Sequence, residues 1–237
     1  MDIFAHRGVS AHYPENTRAA FLATSKLPIT GVEFDVHLIT DGELVVIHDE
    51  TINRTSNGTG YVRDYTLHQL RAFEYGSWFS EAFVDETILT LGEVLELFKG
   101  THHVINIELK TDVFPYEGIE LRVIKEIAAH QMTERVIISS FNHESIQRVS
   151  QLAPYIESAA LFEHLKTEPS TNLKSVKSFH VSLADAFSES VEMALEEGRA
   201  VRVYTVNEID CIKPLQKVGV QAIFTDDPEK LIAALDG

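Results

Sequence analysis

Short apolar runs rich in β-branched residues recur along this 237-residue chain, most of them separated by a stretch long enough for one helix. Val136-Ile137-Ile138 is typical, and runs of this kind suit strands buried on both faces of a parallel sheet. Alternation and turn residues predict strands at 2–5, 31–36, 44–47, 103–109, 135–139, 156–161, 177–183, 200–206 and 221–224. Helical spacing is expected over 17–27, 117–130, 143–152, 188–197 and 208–217, with Gly198 and Gly219 where helices should stop. With 44–47 merged among the rest, the count is eight or nine strands, which fits an α/β fold of the (β/α)8 TIM-barrel type built as a single domain over 1–237. A doubly wound open sheet is the competing architecture. It usually carries a Gly-rich phosphate loop after its first strand, and His6-Arg7-Gly8 is not such a loop.

Several of these strands end in residues suited to chemistry. Ile3-Phe4-Ala5 runs into His6 and Arg7, a second run carries Glu33 and Asp35, a third ends in His48-Asp49, and a fourth in Glu108 and Lys110. In a barrel of parallel strands these ends meet on one rim, so residues a hundred positions apart can share a pocket. Side chains alternate along a strand, which puts Glu33 and Asp35 on one face and Val32, Phe34 and Val36 on the other. Asn106, Glu108 and Lys110 share a face in the same way, backed by Ile105, Ile107 and Leu109. Inward carboxylates need a counter-charge. Glu33, Asp35 and Glu108 are therefore candidate ligands of one hard divalent cation, Mg²⁺ or Ca²⁺. The plainer alternative is ordinary alternation, with the carboxylates paired to Arg or Lys.

Most of the 11 histidines sit in helical or loop contexts, or, like His102 and His103, at the opposite rim. His6 and His48 differ because each closes an apolar run at the expected functional rim. A pair of imidazoles beside a carboxylate site suits general acid–base catalysis. His37 shares the Glu33/Asp35 face and is a lesser candidate.

Acidic residues outnumber basic ones by 36 to 20, a net charge of −16, and no Lys/Arg cluster tracks a phosphate backbone. Nucleic acid and a polybasic membrane anchor are therefore excluded as partners. A small anionic substrate would need local positive charge from Arg7, Lys110 or a metal. Cys211 is the single cysteine and reads as an inert thiol. A strand that starts almost at Met1 leaves no room for a secretory signal, and no apolar run reaches membrane-spanning length, so a cytoplasmic protein is expected. The sequence leaves a homo-oligomer open.

Residues 51–90 break the rhythm. A polar, Gly-bearing stretch (Asn53 to Gly60) precedes a short helical pattern at Leu67, Leu70 and Phe73, then Trp78, Phe79 and Phe83. This predicts a small insertion with a core of its own that can form a wall or lid over the pocket; Trp78 and Phe79 are expected to plug that core, with direct substrate contact as the alternative.

Taken in order, His6-Arg7-Gly8, Pro14-Glu15-Asn16-Thr17, Glu33-Phe34-Asp35-Val36, His48-Asp49, Arg54-Thr55 with Gly58 and Gly60, Glu108-Leu109-Lys110 and Thr225-Asp226-Asp227-Pro228 resemble the glycerophosphodiester phosphodiesterases. The resemblance implies a barrel with an insertion after the second histidine, His6 and His48 as the acid–base pair, and a cation on Glu33, Asp35 and Glu108. It further implies phosphate contacts from Arg7 and Lys110, and substrates such as glycerophosphocholine or glycerophosphoethanolamine cleaved to glycerol 3-phosphate and an alcohol. The family's Trp-Thr-Val-Asn is Tyr204-Thr205-Val206-Asn207 here, and its Ile-Pro-Thr-Leu is Ile88-Leu89-Thr90-Leu91. Two other readings stay open: a lysophospholipase D-like phosphodiesterase and a non-catalytic glycerophosphodiester-binding protein.

Overall fold

The computed structural model describes residues 1–165 and 173–235. Among these, eight parallel strands close into a barrel: β1 (Asp2–His6), β2 (Gly31–Leu38), β5 (Val104–Leu109), β6 (Val136–Ser140), β7 (Glu157–Phe162), β8 (Ser178–Ser182), β9 (Ala200–Tyr204) and β10 (Ala222–Thr225). Closure is made by β1, which pairs with β10 on one side (Phe4 with Phe224) and with β2 on the other (His6 with Glu33). The open-sheet alternative is thereby excluded.

Two further strands, β3 (Leu44–Val46) and β4 (Leu89–Thr90), are antiparallel. The run 44–47 is thus not a barrel strand, contrary to the sequence expectation. A parallel crossover needs a dozen or more residues, and only five separate Leu38 from Leu44. Gly42 supplies the left-handed turn at φ 85° that folds the chain back. β2 therefore overshoots the rim, and β3 brings the chain down again until the Ile47 amide bonds the Asp35 carbonyl. His48 reaches the mouth from above, as the residue after a hairpin rather than the end of a barrel strand.

The outer layer is α1 (Arg18–Thr24), α3 (Leu91–Phe98), α4 (Ile119–Ala129), α5 (His143–Leu152), α6 (Glu189–Glu196), α7 (Ile212–Val218) and α8 (Pro228–Leu235). Four of these starts follow capping chemistry: the Thr17, Asn142 and Ser188 side chains accept from first-turn amides, and Thr90 with Glu93 forms a reciprocal capping box. The main core lies between these helices and the outward faces of the strands, where Phe21 meets Phe34 and Phe98 edge-on at centroid distances of 5.5 and 6.1 Å. Burying one such ring contributes about 1.5–3 kcal/mol. Inside the barrel, Phe4, Ile137, Ala159, Ala222 and Phe224 fill the lower half, so the cavity is confined to the upper rim.

A second hydrophobic cluster joins residues of the 51–90 stretch (Ile52, Val62, Leu70, Tyr75 and Ile88) to Ile39, Val45 and Ile47 of the β2–β3 hairpin, and the short helix α2 (Leu67–Leu70) packs in it. Trp78 and Phe79 do not plug it. They remain 40% and 36% exposed, the Trp78 indole N–H donates to the Tyr75 carbonyl, and the two rings meet edge-on. Tyr75, two residues past Phe73, takes the inward position instead.

Candidate active site

The first βα loop builds one wall. Arg7 has φ 58°, a left-handed conformation uncommon for a non-glycine residue, and Gly8 follows at φ 82°. A Cβ on Gly8 would lie 2.7 Å from the Ala20 Cβ, so helix α1 can pack close only on glycine. The turn aims the Arg7 amide at both the Glu33 carbonyl (2.9 Å) and Glu33 Oε2 (3.1 Å). Asn16, also left-handed at φ 59°, donates its backbone N–H to the Arg7 carbonyl and its side-chain amide to Asp35 Oδ2 at 3.0 Å. Two strained residues thus lock the loop onto the carboxylates, as strain often does at functional sites.

Strand register brings the acidic residues together. Asp35 pairs with Glu108 and Glu33 with Asn106, across adjacent strands. Glu33, Asp35 and Glu108 are all buried, and each offers an oxygen within 4.8 Å of the others. Lys110 Nζ lies 2.8 Å from Glu108 Oε1 and 3.8 Å from Asp35 Oδ1, while Arg7 Nε lies 3.6 Å from Asp35 Oδ2. These two cations do not balance the cluster evenly. Burial raises every carboxyl, but His48, Lys110 and Arg7 together hold Asp35 well below the ordinary carboxylate range. Glu33 goes the other way: burial first, then Asp35 and Glu108, push it well above. Glu108 is also raised, chiefly by burial, against the pull of Lys110. An all-oxygen, buried set with one carboxyl driven toward protonation suits a hard divalent cation, whose charge would ionise all three.

The two histidines stand on the same cavity. It has a volume of about 210 Å³ and is lined by His6, Arg7, Glu33, His48, Asn106, Glu108, Phe141, Leu161, His180, Tyr204, Thr205 and Phe224. His6 Nδ1 is 2.7 Å from Asp226 Oδ1, and His48 Nδ1 is 2.7 Å from Asp49 Oδ1. A carboxylate only accepts, so each Nδ1 carries a proton and each Nε2 is left free. His6 Nε2 lies 3.9 Å from Glu33 Oε2. Asp226 is itself fixed by the Asn207 amide (2.7 Å) and the Ser10 hydroxyl (3.1 Å); burial would raise it, but His6, Asn207 and Ser10 bring it down to about 2. Asp49 is held at about 2, mainly by Arg54, which grips it with Nε and Nη2 and grips Glu15 with Nη1 and Nη2, all at 2.8 Å.

All seven residues singled out from the sequence therefore fall in or beside one mouth, with two refinements. Lys110 lines not this cavity but a wider groove of about 740 Å³ beside it, shared with His48, Phe141, Leu161 and Tyr204. His37 is absent from both. It is fully buried under the insertion, bonds the His48 carbonyl and the Tyr116 hydroxyl, and is pushed down to about 4, mainly by burial. Sequence reasoning gave no role to Asp49, Asp226, Arg54, Glu15 or Asn16. All five nevertheless stand in the motifs that carry the family resemblance, and Asp49 and Asp226 were also marked by position, one directly after His48 and the other directly after the last barrel strand.

A family model for the glycerophosphoryl diester phosphodiesterase family matches residues 6–230. A glycerophosphodiester phosphodiesterase of Caldanaerobacter subterraneus is 41% identical over 97% of this chain and 96% of its own, and one of Bacillus altitudinis is 40% identical over 97% and 96%. The solved structure of a phosphodiesterase from Oleispira antarctica, in complex with the product sn-glycerol-3-phosphate, is 29% identical and covers 100% of this chain and 97% of its own, with a TM-score of 0.88. A glycerophosphodiester phosphodiesterase from Agrobacterium tumefaciens is 26% identical over 98% and 99%, with a TM-score of 0.85. Among the described residues, no helix is long and apolar enough to cross a membrane.

Proposed function

Since this chain belongs to the glycerophosphodiester phosphodiesterase family, we propose that the rim cavity hydrolyses glycerophosphocholine, glycerophosphoethanolamine and related diesters to glycerol 3-phosphate and the free alcohol. One observation carries this reading: two imidazoles with carboxylate-bound Nδ1 atoms share a cavity with a buried three-carboxylate cluster.

His6 and His48 are the acid–base pair. One Nε2 takes the proton of the attacking oxygen, supplied by water directly or by the glycerol 2-hydroxyl through a cyclic phosphate. The other Nε2, protonated, gives its proton to the alcohol oxygen as the P–O bond breaks. Asp226 and Asp49 keep each ring in the tautomer and orientation these transfers need. Arg7 in the cavity wall and Lys110 on the groove side face the phosphate. Glu33, Asp35 and Glu108 would hold one divalent cation, Mg²⁺ or Ca²⁺, which when bound neutralises charge on the diester and its transition state.

The test is glycerol 3-phosphate release from glycerophosphocholine with and without chelator. Activity should vanish in chelator and return with Mg²⁺ or Ca²⁺, and full turnover in excess chelator refutes the cation. His6→Ala and His48→Ala should each lose about 10²–10⁴-fold in kcat; a near-normal rate removes that residue. The acylated analogue should be a poor substrate, because the exposed Trp78 and Phe79 do not line the cavity.

A further inference from the structure

Two polar residues of the cavity have no part in that mechanism and no partner for one of their polar atoms. Asn106 and His180 are 1% and 0% exposed, and Asn106 Oδ1 and His180 Nδ1 are buried without a hydrogen bond. Both residues line the cavity.

Their remaining bonds fix what each atom offers. The Asn106 amide nitrogen donates to Ser139 Oγ at 3.0 Å, so Oδ1 is the free acceptor. Arg202 Nη1 lies 3.3 Å from His180 Nε2, and its other close contact is Glu157 Oε1 at 2.7 Å. A guanidinium can only donate, so Nε2 must accept, and the proton of the neutral ring sits on Nδ1. Burial, with Arg202 second, pushes His180 well below the ordinary imidazole value and keeps it neutral. The cavity therefore presents one unpaired acceptor and one unpaired neutral donor.

A group that both gives and takes a hydrogen bond answers that pair: water does so in solution, and among the groups of a phosphodiester substrate an alcohol hydroxyl can replace it. A phosphate would leave Asn106 Oδ1 facing oxygen, and a quaternary ammonium could satisfy neither atom. Depth in the barrel says which hydroxyl. Asn106 lies one inward-facing position below Glu108 on β5, and His180 one below Ser182 on β8. The pair thus belongs to the floor, whereas the phosphorus must lie at the rim between His6 and His48. Of the glycerol that stays on the phosphate, the atom able to reach furthest from phosphorus toward that floor is the terminal hydroxyl. The larger alcohol has the wider groove.

We infer that His180 and Asn106 recognise the terminal hydroxyl of the glycerol that stays on the phosphate, and so select glycerophosphodiesters over other phosphodiesters. The inference rests on the proposed hydrolysis and deepens it. Leaving a buried hydrogen-bonding group unpaired is what lets a site reject an analogue lacking one hydroxyl.

The test compares glycerophosphocholine with the analogue whose glycerol is replaced by propane-1,2-diol, which keeps the 2-hydroxyl and loses the terminal one. The protein should favour the glycerol compound by on the order of 10²-fold in kcat/KM. In His180→Phe and Asn106→Leu that ratio should fall about 10–100-fold toward one, and His180→Gln, which keeps a donor and an acceptor, should hold most of it. A wild-type ratio near one, or a ratio unmoved in both variants, overturns the inference. Calorimetry on the Mg²⁺-loaded protein supplies the arm without turnover: glycerol 3-phosphate should bind more tightly than propane-1,2-diol phosphate, and equal affinities overturn the pair. If Asn106→Leu weakens Mg²⁺ binding and leaves the ratio intact, Asn106 is a cation ligand and the pair falls. A protein that binds glycerol 3-phosphate selectively but cleaves neither diester loses the hydrolysis reading, while the pair stands.

Discussion

Replacing Asp226 by Asn should harm catalysis more than replacing it by Ala, although Asn is nearly the same shape. Asp226 Oδ2 accepts from the Asn207 amide at 2.7 Å, and Oδ1 accepts from His6 and from Ser10. Asn207 cannot turn its amide over, because its Oδ1 already accepts the Asp226 backbone N–H and the Thr225 hydroxyl. In Asp226→Asn the new carbonyl must therefore face Asn207, and the new NH₂ faces His6 Nδ1. That group donates, so His6 is driven to the tautomer with its proton on Nε2, and the free nitrogen points away from the substrate. A tautomer inversion of this kind costs on the order of 10⁴-fold in a serine protease, and about 10²–10⁴-fold in kcat is expected here. Asp226→Ala only removes the orienting bond, and about 10–10²-fold is expected. The stability cost is modest. A carboxyl brought from 3.8 to about 2 represents roughly 2 kcal/mol, and with the side chain 34% exposed, screening cuts this to about 1 kcal/mol. The depressed value means that this stability is complete above the unfolded pKa and is lost only as pH falls through about 2, so measurement at pH 7 sees all of it. A melting-point drop of about 2–4 °C follows. The assay is glycerol 3-phosphate release, with imidazole ¹⁵N shifts reporting the His6 tautomer. If Asp226→Asn is as active as the parent, or less damaged than Asp226→Ala, the tautomer argument fails.

Glu33 gives an opposite pH signature. Its raised value means that the folded state holds the proton more tightly than the unfolded chain, so in chelator its stabilising contribution is full below about pH 4 and is lost as pH climbs through the raised value. A Mg²⁺ concentration a hundredfold over the Kd at pH 8 should add about 2.7 kcal/mol there, a rise of roughly 5–10 °C, and the same concentration should give a smaller rise at pH 5, where Glu33 holds its proton against the ion; an equal rise at the two pH values would contradict the charge-crowding account. Gly31→Ala should destabilise by about 3 kcal/mol, because the added Cβ would run into the Val104 carbonyl and lie 2.6 Å from the Phe4 ring, at the point where β1, β2 and β5 meet. Urea unfolding reads this directly, and a loss below about 1 kcal/mol would mean that the barrel yields there.

The parallel strands were legible because their β-branched runs and one-helix spacing leave few other folds. The carboxylates were legible because alternation puts Glu33, Asp35, Asn106, Glu108 and Lys110 inward whatever the helices do. Leu44–Val46 misled because an apolar run reads the same in a hairpin as in a barrel strand; the turn at Thr40-Asp41-Gly42 carried the distinction, since five residues cannot make a crossover. Asp226 and His180 were opaque for a deeper reason. Asp226 acts on His6 across 220 positions, through a β1–β10 pairing that exists only once the barrel closes. His180 stands between Phe179 and Val181 in a strand flanked by Ser178 and Ser182, with nothing local to mark it, and only its contact with Arg202 on β9 decides which nitrogen bears the proton.

Charge in the mouth explains why the cluster, the cation and the substrate belong together on so acidic a protein. The acids of the mouth outnumber its fixed cations: Glu33, Asp35 and Glu108 stand with Glu15, Asp49 and Asp226 against Arg7, Lys110 and Arg54, and burial among them drives Glu33 toward its protonated form. A phosphodiester anion approaching that mouth meets a surface of like sign and a site of like sign. One divalent ion on Glu33, Asp35 and Glu108 would offset two of these negative charges and place positive charge where the diester binds. Replacing Glu108 by Gln removes one charge without the cation, so Glu108→Gln in chelator should bind glycerol 3-phosphate better than the parent in chelator, yet worse than the parent with Mg²⁺. Calorimetry can rank the three, and any other order would show that charge balance does not govern substrate entry.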